Sequence, residues 1–359
     1  MLFSNAQKDV KRFRYKLASI LIYWKTNTAN NNPNHIQDDD TGYKSDDVAI
    51  LANPNDIEEF KNKKQSLSSE TRYRSLMSVV SMMGVHELIG GLCSYIKSID
   101  CKETLEKLWV QSSKPYSIRL NINKLKQILM EDQPIDLDCF NLSIRTFVYE
   151  DIHKAKKTRG PISKHYMDLQ FWMSTDFGRH PDFTQKLNIE QLAMSVCQWP
   201  GMNYNVLRCK SILIPIQFYG TFILIILDQT TKIVYIIDPN PINPIYENNP
   251  YACYVPKISW IAKYLPKAMA KAYPGSRWNE HIDLWRHIIV PHVQIHNNKL
   301  SGYLVSLFMR TWSDNGLQLP DGYELRKQFL AKLLVYQENE CENNMPEGIR
   351  EFITCIRNK

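Results

Sequence analysis

Few side chains in this sequence stand where they could do chemistry. Asp238 is the clearest. It ends an apolar run, Ile233–Ile237, and Pro239-Asn240-Pro241 follows it. Prolines forbid further ladder pairing, so the carboxylate is expected at the rim of a sheet, where a site would form. His287, His292 and His296 lie close together in sequence, but Pro291 among them spoils the helical spacing a shared metal would need. His292 and His296 read as solvated or hydrogen-bonded loop residues, and no metal site is expected. Cys139, Cys197, Cys209 and Cys253 could each be offered as a nucleophile. None has a histidine-containing neighbourhood, and all read as core cysteines. The closest two of the eight cysteines are eight residues apart, so there is no CxxC and no zinc-ribbon spacing. No HExxH, no GxSxG, no glycine-rich phosphate loop and no internal repeat is present. No cofactor is implied.

The elements that would position such residues centre on Ser211–Asp238. Three apolar runs stand side by side there: Ile212–Ile216, Phe222–Leu227 and Ile233–Ile237. Each is rich in β-branched and aromatic residues and short enough for a strand. Gly220 sits in the first gap, and Asp228–Lys232 is a short polar connection that fits a hairpin. The middle run is apolar throughout and predicts a central strand covered on both faces.

Around that core the chain reads mostly as helix. Residues 1–24 predict a basic amphipathic helix, with Phe13, Leu17, Ile20, Leu21 and Trp24 on one face. Residues 25–70 are polar and Asn-rich, and they predict a mobile linker. Residues 71–131 predict a small helical region. Leu88, Leu92, Tyr95 and Ile96 form one stripe, Gly84 and Gly90-Gly91 break the pattern, and Asn123 is a candidate cap. Residues 132–359 then form an α+β domain. Its helices are expected to begin near Asp138 as N-cap and to cover 186–199, 258–272, 302–312, 323–337 and 346–357. Residues 285–296 hold a strand-like run interrupted by Pro291.

Composition narrows the classes. The 359 residues are 44% hydrophobic and 23% charged, as in an ordinary soluble globular chain. No run approaches the length of a transmembrane helix. No signal peptide is evident, which predicts an intracellular protein with reduced thiols, in the nucleus or cytoplasm. The basic N-terminal helix leaves a mitochondrial presequence as the other address. The net charge of +7 is modest. Its local runs, Lys8–Lys16, Lys61–Lys64 and Lys154–Arg159, read as solvated faces, and for nucleic acid they offer only an electrostatic footprint.

The order of strand, strand, acid-ended strand, long connection and polar turn into an apolar helix resembles one family. It is similar to the SUMO-deconjugating, ubiquitin-like-protein cysteine proteases, a branch of the papain-like fold. In that family a His-Trp pair opens the middle strand, an Asp-Ser pair ends the next, and a Gln precedes an Asp-Cys-Gly that starts a buried helix. Laid on this sequence, His-Trp falls on Thr221-Phe222 and the acid on Asp238, followed by Pro rather than Ser. Asp-Cys-Gly falls on Leu300-Ser301-Gly302, and the Gln falls on Ile295, one residue from Gln294. The run Ile135–Leu142 also resembles the segment ahead of the protease domain in plant transposon proteins of this type. The resemblance covers roughly residues 134–320.

The resemblance implies a papain-like fold whose mixed or antiparallel central sheet is flanked by helices, with a helical N-terminal extension. It also implies Cys-His-Asp chemistry in which the imidazole takes the thiol proton, the acid holds the imidazole and an amide binds the oxyanion. Here base and nucleophile are both replaced. An isolated Ser301 hydroxyl is protonated at neutral pH, Thr221 cannot take its proton, and rescue would need His292 or His296 to swing in. The expectation is therefore a catalytically dead member of this fold, kept as a protein-interaction module whose groove could hold an extended, ubiquitin-like tail. The alternatives are a partner-directed regulator, such as one half of a plant toxin–antidote pair, a residual serine-type hydrolase using Ser301, and nucleic-acid binding through the basic runs.

Overall fold

The computed structural model describes residues 82–174, 188–218, 220–276, 278, 281–291, 298–313, 316–317 and 324–359. The expected helix at 1–24, the linker at 25–70 and the start of the 71–131 region lie outside the described residues, as do Ile295, Gln294, His292 and His296.

The chain divides into two units: residues 1–95 with 346–359, and residues 96–345. In the first, helix α1 (Val85–Ser98) begins, burying Leu88 and Leu92. It runs straight through Gly90-Gly91, where the sequence predicts a break. Both glycines are buried inside the helix, so packing overrides their poor propensity. The C-terminal helix α10 (Glu347–Arg357) belongs to the same unit, and just beyond it Lys359 Nζ donates to the Met83 carbonyl at 2.6 Å.

The second unit holds the remaining elements. A short helix α2 (Lys102–Leu105) leads into strands β1 (Leu108–Ser112) and β2 (Ile118–Asn121), an antiparallel hairpin in a stretch that reads as helical from sequence. Trp109, Val110, Ile118 and Leu120 are buried, but Trp109 and Val110 are adjacent at a register shift in β1, so no strand period stands out before the turn Ser113–Tyr116. Helix α3 (Ile122–Ile128) is capped by Asn121, not Asn123; the Asn121 side chain accepts from Lys124 N at 3.0 Å. Helix α4 (Leu137–Thr158) is capped by Asp136, not Asp138. Asp136 Oδ1 accepts from the Asp138 and Cys139 amides at 2.9 and 3.2 Å.

Next come strand β3 (Lys164–Tyr166) and helices α5 (Leu169–Ser174) and α6 (Ile189–Val196). They are followed by β4 (Ser211–Phe218), β5 (Thr221–Asp228) and β6 (Ile233–Ile237). Helix α7 (Val255–Ala272) carries Pro266 inside it and leads to β7 (Arg286–Ile289). Helix α8 (Ser301–Thr311) is followed by a two-residue-per-strand hairpin, β8 (Trp312–Ser313) with β9 (Gly316–Leu317), and by helix α9 (Leu325–Leu334).

The sheet order is β3-β4-β5-β6-β7, with the all-apolar strand at its centre. β4, β5 and β6 pair antiparallel, while each edge strand runs parallel to its neighbour. This is the α+β class and the mixed, helix-flanked sheet expected from sequence. Alternate residues of a strand face opposite sides. Ile223, Ile225 and Leu227 of β5 share one apolar cluster with residues of α5, α6 and α7, while α8 packs on the central strand and α4 packs on α8. Pro215 lies two residues beyond the last β3–β4 pair, at Leu213, so its missing N–H costs no bond to β3. On this overhang Trp172 Nε1 donates to the Gln217 carbonyl at 3.2 Å.

Candidate functional site

The start of α8 meets the start of β5. No side chain of Leu300 caps α8. Instead Ser301, 1% exposed, ties helix to sheet: its Oγ donates to the Asn298 carbonyl at 2.7 Å and accepts from the Phe222 N–H at 3.1 Å. Gly302 lets the two elements approach. A Cβ there would lie 2.3 Å from Ile135 Cγ2 and 3.1 Å from the Phe222 ring. That ring also sits 4.9 Å from Phe140 of α4.

The loop that leads to Ile135 is held by Arg326 on α9. Its guanidinium donates to the carbonyls of Ile128, Glu131 and Gln133 at 3.1, 3.0 and 2.9 Å, and to the Tyr303 hydroxyl at 3.1 Å. One arginine therefore pins the loop before α4 to both α8 and α9.

On its other side Phe222 meets the end of β6. The Phe222 carbonyl accepts from Asn240 Nδ2 at 3.2 Å. Asp238 Oδ1 accepts from the Asn240 amide and from Asn240 Nδ2 at 2.9 and 2.7 Å. Asp238 Oδ2 accepts from the Tyr254 hydroxyl at 2.9 Å. Burial and the neighbouring Asp238 charge push the Tyr254 phenol well above its usual range, so it stays a donor.

Phe222, Asp238, Ser301 and Gly302 are thus brought into one hydrogen-bonded and packed assembly. Thr221 lies beside them, but its hydroxyl donates to the Phe218 carbonyl at 2.7 Å, closing the β4–β5 turn at Gly220, whose φ is +78°. Three contributors escaped the sequence reading: Asn240, Tyr254 and Arg326. Asn240 had a local signal, since an amide two residues after an acid is a common turn device. Tyr254 and Arg326 are distant in sequence and had none.

Chemically, this arrangement holds a hydroxyl rather than releasing it. An attacking oxygen needs a base to take its proton and open space in front of it. The Ser301 proton is already given to a main-chain carbonyl, its lone pair already receives a main-chain N–H, and no histidine among the described residues hydrogen-bonds to it.

The other candidate residues stand apart or are quiescent. Cys139 is fully buried, and burial, then the Asp136 charge, pushes its thiol well up. Burial pushes Cys209 up to about 12. Cys253 sits next to Tyr254 and donates to the Pro250 carbonyl at 3.1 Å; burial raises it too. Raised thiols are poor thiolates. Cys197 is exposed at the C-cap of α6. His287 lies on β7, paired in register with Val234. Among the described residues no cluster of three His, Cys, Asp or Glu side chains could hold a metal ion, and no helix is long and apolar enough to cross a membrane.

No family model matches the chain, and no curated protein matches it by sequence. Solved structures do. The C-terminal protease domain of Ulp1, solved in complex with Smt3, the yeast ortholog of SUMO, aligns at 11% identity and a TM-score of 0.46, covering 69% of this chain and 94% of that one. The catalytic domain of a Chaetomium thermophilum Ulp1-like SUMO protease aligns at 12% identity and a TM-score of 0.41, covering 75% and 89%. A de-sumoylating protease aligns at 13% identity and a TM-score of 0.39, covering 69% and 92%. At these levels of likeness, every residue role in this chain rests on its own geometry.

Proposed function

We propose that this chain is a catalytically inert protein of the SUMO-protease type that acts by binding a protein partner, of which a ubiquitin-like protein is the first to try. One observation carries the inert half. The hydroxyl at the nucleophile position, Ser301, is sealed between Phe222 N–H and the Asn298 carbonyl instead of facing an imidazole across a cleft. The second supporting feature is the order of parts: Phe222 on the central strand, Asp238 at the end of the next, and Gly302 at the start of a buried helix converge as they would in a papain-like scaffold. Removing nucleophile or base alone costs on the order of a millionfold in a serine protease of another fold, so the remaining acid supports no useful turnover.

The test has two arms. Purified protein is incubated with SUMO-type precursors and with electrophilic activity probes, and it should neither cleave the first nor be labelled by the second. The same protein is titrated with a mature ubiquitin-like protein, and saturable binding without cleavage is expected. Turnover abolished by Ser301→Ala would overturn the inert reading. Absence of saturable binding would remove the ubiquitin-like partner.

A further inference from the structure

Within the sheet-bearing unit, a cavity of about 300 Å³ opens between α4, the end of β1, the turn Trp199–Gly201 and the segment Tyr336–Glu340. It shares none of its lining residues with the Ser301 assembly. Arg145 of α4, 3% exposed, contributes a cation to its lining. Its Nη1 donates to the Ser112 carbonyl and hydroxyl at 3.0 and 2.9 Å, and its Nη2 donates to the Tyr116 carbonyl at 2.6 Å. All three acceptors are neutral. Its Nε has no hydrogen-bond partner among the described residues, and the guanidinium lies 4.3 Å over the Tyr116 ring.

Two carboxylates feel this charge, yet neither pairs with it. Asp168 accepts from the Tyr116 hydroxyl and from Gln198 at 2.8 and 3.1 Å. Glu340 accepts from the Ser113 hydroxyl and amide at 2.5 and 2.6 Å and from Gln111 at 3.3 Å, and these bonds, the hydroxyl's first, hold its carboxyl below the usual range. A buried cation met only by neutral acceptors is costly, and an anion placed beside it offsets that cost. Two exposed lysines, Lys114 and Lys156, also line the cavity and make no ion pair among the described residues. The walls are apolar and ring-shaped. Val148, Ile152 and Trp199 form one side, and Tyr149 meets Tyr336 edge-to-face at 6.5 Å and 78°.

We propose that this cavity binds a small organic monoanion: a carboxylate on a flat, ring-sized apolar body. The carboxylate faces Arg145 at the Ser112–Lys114 end, Lys156 farther along α4 adds positive charge at longer range, and the ring packs on the tyrosine pair. The volume suits one ring or a fused pair, at the small end of ligand pockets. Glu338 and Glu340 line the same cavity and would repel a multiply charged anion such as a phosphate monoester.

The test titrates the full chain with 2-naphthoate, with the neutral 2-naphthamide and with inorganic phosphate, read by calorimetry and by the amide resonances of Tyr149 and Gly201. Naphthoate should saturate, naphthamide should bind at least tenfold more weakly, and phosphate should not saturate. The surface double variant Lys114→Glu/Lys156→Glu, checked for an unchanged circular dichroism spectrum, should weaken naphthoate at least tenfold. Arg145→Lys should weaken it as well where that variant folds. Absence of saturation by naphthoate, equal binding of the amide, saturation by phosphate, or indifference to the charge-reversed pair would each overturn the proposal.

Discussion

Ser301 and Gly302 do one structural job between them. The hydroxyl satisfies an amide of the central strand, and the missing side chain lets helix α8 settle on that strand and on Ile135. Ser301→Ala should leave the Phe222 N–H buried without an acceptor and destabilise the fold by about 1–3 kcal/mol, read as a lower urea midpoint at unchanged slope. Gly302→Ala drives a methyl to 2.3 Å from Ile135 Cγ2, so something must shift. Overpacking of this kind costs about 1–3 kcal/mol, and the companion change Ile135→Ala, which removes Cγ2, should relieve the clash while leaving its own cavity cost. Asp238 is equally engaged, with Asn240 on one oxygen and Tyr254 on the other. Restoring a histidine at Thr221 alone would therefore meet a carboxylate already committed.

Among the elements, α4 shows how a local signal can mislead by one turn position. Asp136 and Asp138 both precede the apolar face, and both bind Lys124 Nζ, at 3.3 and 2.7 Å. Only Asp136 has extended backbone, with φ −69° and ψ 141°, which turns its carboxylate back onto the first amides of the helix. Asp136→Ala should cost about 1 kcal/mol and Asp136→Ser much less, compared by chemical denaturation, whereas Asp138→Ala should cost only a few tenths. The three core strands and the buried helix α8 were legible in the sequence because long apolar runs bounded by Gly, Pro and polar turns leave few alternatives. The β1–β2 hairpin was not, since four buried residues split by a turn carry no measurable period. The continuity of α1 through Gly90-Gly91 was hidden too, because the packing that rewards two glycines is tertiary. Of the candidate site, Phe222, Asp238, Ser301 and Gly302 meet in the fold while Thr221 bonds to the Phe218 carbonyl instead, and the bonds that close the site were not legible.

For the whole molecule, stability should depend on pH through His165. It lies on β3, fully buried, with Nδ1 3.1 Å from the Tyr204 hydroxyl. Burial lowers its pKa from 6.5 to about 3. A lowered histidine binds its proton in the unfolded chain but not in the folded one. Its contribution is present above 6.5 and is lost as pH falls from there toward about 3. Within that window stability should fall with decreasing pH by up to about 1.4 kcal/mol per pH unit from this proton. His165→Gln should flatten the acid limb of a urea-midpoint-against-pH curve; an unchanged limb would assign acid sensitivity to other groups.

The β3 strand is only three residues long, so five residues of β4, 214–218, run past its last partner without a strand beside them on that side among the described residues. An unpaired stretch of that length, once uncovered, is a template on which a second molecule can lay its own backbone. Two residues blunt it: Pro215 offers no donor, and the Trp172 indole occupies the Gln217 oxygen. The pair is expected to keep this flank from recruiting other copies. A Pro215→Val/Trp172→Phe chain should still fold, yet form thioflavin-positive assemblies at concentrations where the parent stays monodisperse.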